Sequence, residues 1–146
     1  MERWSVGFGG TRSFTVANGI LYYGSTVGGV IGRLTALNAS SGAFLWSYDA
    51  GLVVTTPAVA NGIAYFGADD RNVYALNAST GAFIWSAQTG GTAYVGPVAN
   101  GKVYAAYNFG LSAFNASTGA LIWVKASFVG ASAVARGVLY ATATSP

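Results

Sequence analysis

The chain contains no cysteine and no histidine. Without thiols it forms no disulfide and no thiolate metal site, and without imidazole it lacks the commonest metal ligand and general base. A large share of enzyme chemistry is excluded at once. Charge is scarce too, with seven Lys or Arg against four Asp or Glu in 146 residues and a net charge of +3. The basic residues Arg3, Arg12, Arg33, Arg71, Lys102, Lys125 and Arg136 are scattered. No run of them tracks a phosphate backbone, so no nucleic-acid partner is expected despite a pI near 9.3. No apolar run approaches the roughly 18 residues a spanning helix requires, because Gly, Asn, Ser or Thr interrupts every few positions. No membrane span is expected. The opening MERWSVGFGG shows no basic region followed by an apolar core, so it does not read as a signal peptide.

What is present is apolar surface and repetition. Hydrophobic residues make up 53% of the chain and charged residues 8%, so most segments need a neighbour on both sides. At 14.8 kDa the chain is the size of one domain able to bury a core. The stretch LTALNASSGAFLW ending at Trp46 returns as VYALNASTGAFIW ending at Trp85 and as LSAFNASTGALIW ending at Trp123. With Trp4 the tryptophan spacings are 42, 39 and 38, and turns at Asn18-Gly19, Asn61-Gly62 and Asn100-Gly101 keep nearly the same ruler, with a degenerate fourth at Arg136-Gly137. Such a period marks a propeller or solenoid.

Each unit divides into four short strands, A to D, rich in Val, Ile, Tyr, Phe and Trp. In the second unit the expected strands are Thr55 to Ala60, Ile63 to Ala68, Val73 to Leu76 and Ala82 to Ala87. Asn-Gly between apolar runs signals a type I′ hairpin, since both central residues take positive φ. Segments such as ILYYG, IAYFG and VYAAY show little alternation, which implies cover on both sheet faces. Stacking the sheets face to face provides it, and bending the stack into a ring removes the exposed ends. The expected fold is an all-β propeller of four-stranded antiparallel blades, one repeat domain over 1–146. Its parts are a lone D strand at 1–7, blades at 13–51, 52–90 and 91–127, and a partial blade of strands A and B at 128–146.

The pattern Ala-x-Asn-x-x-x-Gly-x-x-x-Trp, at Ala36-Asn38-Gly42-Trp46, Ala75-Asn77-Gly81-Trp85 and Ala113-Asn115-Gly119-Trp123, resembles the tryptophan-docking motif of the PQQ-type β-propeller repeat. That family includes quinoprotein alcohol dehydrogenases, BamB-like proteins of outer-membrane protein assembly, and sensor or binding domains. The resemblance implies that Trp4, Trp46, Trp85 and Trp123 dock against the neighbouring blade near Gly42, Gly81 and Gly119. It also implies an extracytoplasmic location. The family often has Asp where this chain has Asn. The NAS triplets match a glycosylation sequon, but they recur with the repeat and are read as turn chemistry.

The family's enzymes hold a quinone and a calcium or lanthanide ion with acidic and amide ligands, use an aspartate base, and often carry a disulfide of adjacent cysteines. None of that set is found here. The four acids are Glu2, Asp49, Asp69 and Asp70, and only the last two adjoin. No catalytic residue, metal site or cofactor is expected.

Strand order places the A-B and C-D turns on one rim and the B-C and D-A connections on the other. The first rim barely varies between copies; the second does, in STVGGVIGR, ADDRN and NFG and in YDAGLVVTTP, QTGGTAYVGP and KASFVG. Variable loops on a rigid scaffold are where recognition sits. Arg33, Asp49, Asp69, Asp70, Arg71, Gln88, Tyr94, Tyr107 and Asn108 are therefore the candidate ligand-binding residues. The expected function is a non-enzymatic scaffold or binding module for a protein, peptide or glycan, with two copies closing one ring. The alternatives are a self-closed four-bladed monomer, a fragment of a quinoprotein dehydrogenase, and a sensor domain of a larger receptor.

Overall fold

The computed structural model describes residues 14–52, 55–108, 110–126, 131–135 and 138–141. The described residues form strands and turns, with no helix among them. The first sheet is β1 (Phe14–Ala17), β2 (Ile20–Val27), β3 (Ile31–Asn38) and β4 (Phe44–Ala50). The second is β5 (Ala58–Ala60), β6 (Ile63–Gly67), β7 (Asn72–Asn77) and β8 (Phe83–Gln88). The third is β9 (Tyr94–Ala99), β10 (Lys102–Tyr107), β11 (Gly110–Asn115) and β12 (Leu121–Ala126). A hairpin of β13 (Ala131–Ala135) and β14 (Val138–Ala141) follows. Each sheet is an antiparallel meander in chain order. The lone strand expected at 1–7 with Trp4, and the turn at Arg136-Gly137, lie outside the described residues.

Turn chemistry sets the registers. Asn18-Gly19 has φ of 50° and 74°, Asn61-Gly62 50° and 75°, and Asn100-Gly101 52° and 68°. Asparagine and glycine are the residues that enter this region at least cost. The first strand of the second sheet begins at Ala58, three residues later than the sequence pattern predicts. Pro57 has no N–H to give to a ladder, and the Gly67 N–H that would have paired further along donates to Thr55 Oγ1 at 3.1 Å instead. The remaining strands of that sheet differ from the expected bounds by a residue or so.

The sheets stack face to face, and the core lies between them. Tyr22, Leu34, Ala36 and Trp46 of the first sheet meet Ala64, Phe66, Leu76 and Ala78 of the second. From the second sheet's other face, Tyr65, Val73, Ala75 and Trp85 meet Ala93, Val103, Ala105, Phe114 and Ala116. Neighbours along β6, Ala64, Tyr65 and Phe66, thus enter different interfaces, and all three are buried. This is the physical reason for the weak alternation. Each buried Leu, Val or Phe contributes about 1.5–3 kcal/mol. In all three sheets the C-D pairing slips just after the residue opposite Trp, at Ala36/Leu37, Ala75/Leu76 and Ala113/Phe114. A bulge there twists the outer strand locally, at the step that presents the tryptophan.

Candidate functional site

The rim formed by the A-B and C-D turns is built the same way three times. Asn38 Oδ1 accepts hydrogen bonds from the backbone N–H of Ser40 and Ser41, Asn77 Oδ1 from Ser79 and Thr80, and Asn115 Oδ1 from Ser117 and Thr118, all at 2.9–3.1 Å. A stitch ties each C-D turn to the A-B turn of its own sheet, through Ala39 N–H to Gly19 O, Ala78 N–H to Gly62 O and Ala116 N–H to Gly101 O, each at 2.9 Å. The polar atoms of this rim are largely used to hold its own backbone.

The same turns form the joints between sheets. Trp46 Nε1 and the Tyr22 hydroxyl both donate to the Ala78 carbonyl at 3.0 Å. Trp85 Nε1 and the Tyr65 hydroxyl both donate to the Ala116 carbonyl, at 2.9 and 3.0 Å. A carbonyl oxygen has two lone pairs, so both donors are accommodated. Gly81 and Gly119 lie directly beneath the Trp46 and Trp85 rings, where a Cβ would come within 2.7 and 2.6 Å of ring carbons. Burial pushes the Tyr22 and Tyr65 phenols above their ordinary pKa.

The opposite rim is held by the D-A connections. Asp69 N–H donates to Leu52 O at 2.9 Å, Ala93 N–H to Ala68 O at 3.2 Å and Thr89 N–H to Arg71 O at 2.7 Å. The buried Thr89 hydroxyl lies 3.0 Å from Arg71 O and 2.6 Å from Gly91 O. These bonds fix Arg71 at φ of 69°, an uncommon conformation for a bulky residue. Its side chain is exposed, as are those of Asp69 and Gln88. Tyr94 is also exposed, at the start of β9.

The other candidates have partners within the chain. Arg33 and Asp49 are directly opposite in the β3-β4 register and form a two-armed ion pair, Nε to Oδ1 at 2.5 Å and Nη2 to Oδ2 at 2.8 Å. The hydrogen bond and charge of Arg33 hold the Asp49 carboxyl below its usual range. Asp70 accepts from the Tyr74 hydroxyl at 2.5 Å and from Asn72 N–H at 3.1 Å. Burial, with that bond, pushes the Tyr74 phenol up. Tyr107 lies against Gly90 and Gly110, and Asn108 against Gly91. The described residues do not fit a quinone and metal site: the Asp49 carboxylate is matched to Arg33, and no three of Asp, Glu, His or Cys come together among them. Sequence reasoning missed Tyr22, Tyr65 and Tyr74, whose hydroxyls act at these joints and turns.

No curated protein matches the chain in sequence. Among solved structures it resembles the europium-containing methanol dehydrogenase at 22% identity and a TM-score of 0.69, over 86% of this chain and 27% of that one. It resembles BamB from Moraxella catarrhalis at 20% identity and a TM-score of 0.69, over 86% and 40%. The computationally designed Ika4 protein matches at 15% identity and a TM-score of 0.73, over 98% of this chain and 93% of that one. At these identities the likeness is one of fold, and the chain spans less than half the length of the first two. The family described as "Outer membrane protein assembly factor BamB" matches residues 1–127 and again 72–145. With its repeated Asn-x-x-x-Gly-x-x-x-Trp turns and its stack of four-stranded sheets, the chain belongs to this PQQ-type β-propeller repeat family.

Proposed function

We propose that the chain is a non-enzymatic scaffold that binds a protein segment through the rim of B-C turns and D-A connections, in a ring completed by a second copy. The observation that carries this is the difference between the rims. One repeats the same turn and uses its polar groups on its own backbone. The other differs from sheet to sheet and displays Asp69, Arg71, Gln88 and Tyr94 on a hydrogen-bonded frame. A rigid frame lowers the entropy lost when a partner binds. Membership of a family described as an assembly factor supports a protein as the ligand.

A photocrosslinking residue at Gln88 tests this against one at Ser79 on the turn rim, both positions being exposed. The expected result is a discrete protein adduct from position 88 that Arg71→Glu abolishes. Adducts from position 79 alone, or adducts indifferent to Arg71→Glu, would reject the rim.

A second reading, part of a quinoprotein dehydrogenase, is supported by the likeness to the europium-containing methanol dehydrogenase. It requires the cofactor ligands to lie outside the described residues. A rise in melting temperature on adding the quinone with calcium would favour it.

A further inference from the structure

The asparagines of the turn rim fall into two chemical classes. At Asn18-Gly19, Asn61-Gly62 and Asn100-Gly101 both residues of each turn are exposed. A Cβ added to any of these three glycines would meet no atom within 4 Å, so the space over the turn is open. Asn38, Asn77 and Asn115 instead commit Oδ1 to two backbone N–H groups each and precede alanine. Asn72 gives Nδ2 to Asp70 O at 3.2 Å and precedes the buried Val73.

We propose that Asn18, Asn61 and Asn100 are sites of spontaneous main-chain rearrangement to isoaspartate, and that the change at Asn61 and Asn100 loosens the joints between sheets. The deprotonated glycine nitrogen attacks the asparagine Cγ. The N–Cγ bond forms, the Cγ–Nδ2 bond breaks, and ammonia leaves. Water then opens the cyclic imide at either carbonyl, giving aspartate or isoaspartate. Glycine permits this because it has no Cβ to crowd the attack. A type I′ turn holds the asparagine ψ near about +30°, which turns the glycine nitrogen away from Cγ, so the reaction draws on the opened turn. The stitches oppose that opening, since Gly19 O, Gly62 O and Gly101 O each accept a backbone N–H from the C-D turn at 2.9 Å. Isoaspartate adds one methylene to the main chain, so the two-residue turn loses its register and Gly62 O and Gly101 O move off Ala78 and Ala116. Those two alanines carry the carbonyls that receive Trp46 with Tyr22 and Trp85 with Tyr65. Damage to one sheet is thereby felt by the tryptophan of the sheet before it. The inference concerns the turn rim and is independent of the binding role proposed for the opposite rim.

The purified chain is incubated at mildly alkaline pH, folded and in urea, beside a free peptide of residues 58–66 as the reactivity standard. Peptide mapping with electron-transfer mass spectrometry distinguishes aspartate from isoaspartate at each asparagine. Conversion is expected at positions 18, 61 and 100 and not at 38, 77 or 115. It should run about tenfold faster or more in urea, the scale of opening one or two hydrogen bonds. Chains carrying isoaspartate at position 61, isolated by their added negative charge, should melt about 4 °C lower. Asn61→Asp has the same charge on a normal main chain and should not show that loss. Asn61→Gly keeps a positive φ, as Gly28-Gly29 does at 61° and 77°, and should show no conversion at that turn. Equal conversion at Asn38, Asn77 and Asn115 overturns the assignment of sites, as does a folded chain left unconverted after many times the incubation the peptide needs. Equal rates with and without urea remove the control by turn opening. Melting unchanged by isoaspartate at position 61 removes the coupling to the joint.

Discussion

At the scale of single residues, glycine and tyrosine divide the work of the joints. Gly81 sits at φ of +74° with the Trp46 ring where a side chain would go, whereas Gly19 has the same φ of +74° and open space around it. The two glycines separate conformation from contact. Gly19→Ala is expected to cost about 1 kcal/mol, the left-handed penalty alone. Gly81→Val should cost about 3 kcal/mol or more, because overpacking against the indole is added. Urea unfolding of both variants checks this, and equal losses would remove the indole contact from the account. The glycines were legible because they recur at fixed distance from Trp. Tyr22 and Tyr65 were not, since tyrosine in an apolar strand reads as an ordinary strand former. The carbonyls they reach are 56 and 51 residues further along the chain.

At the scale of the element, each strand was legible where local chemistry alone shapes it. The Asn-Gly turns demand positive φ whatever surrounds them, and they appear where the sequence puts them. The start of β5 was not legible, because it depends on Thr55 Oγ1 accepting a bond from Gly67 N–H across the sheet. Nor was the pairing of Arg33 with Asp49, set by a register 16 residues apart. The joints also fix the response to pH. Tyr22 and Tyr65 have pKa values raised by burial, and their hydroxyls must stay protonated to donate. Their contribution is therefore complete below the unfolded phenol value of about 10 and is lost as pH rises above it. The double variant Tyr22→Phe with Tyr65→Phe should lose about 1 kcal/mol per site at pH 7. It should also show a shallower fall in stability above about pH 10 than the parent. Denaturation series at pH 7 and pH 10.5 measure both, and parallel alkaline slopes would show that these phenols are not the groups responsible.

At the scale of the whole molecule, the propeller class was legible from the repeat, because three near-identical turns allow only stacked, near-identical sheets. The manner in which the stack ends was not, since it depends on contacts made beyond any one unit. A second copy closing the ring would give a species at twice 14.8 kDa in light scattering. A stable species at 14.8 kDa would reject that closure. The joints also have a direction, the earlier sheet donating and the later one accepting, so successive sheets join head to tail. Direction has a consequence in time. Trp46 is synthesised 32 residues before Ala78, and Trp85 31 residues before Ala116. At ribosomal speeds of about 5–20 residues per second, each indole waits roughly two to six seconds for its acceptor to be made. During that interval every nascent sheet carries an uncovered aromatic face, so the order of translation, and not only the final packing, decides which turn each tryptophan meets first.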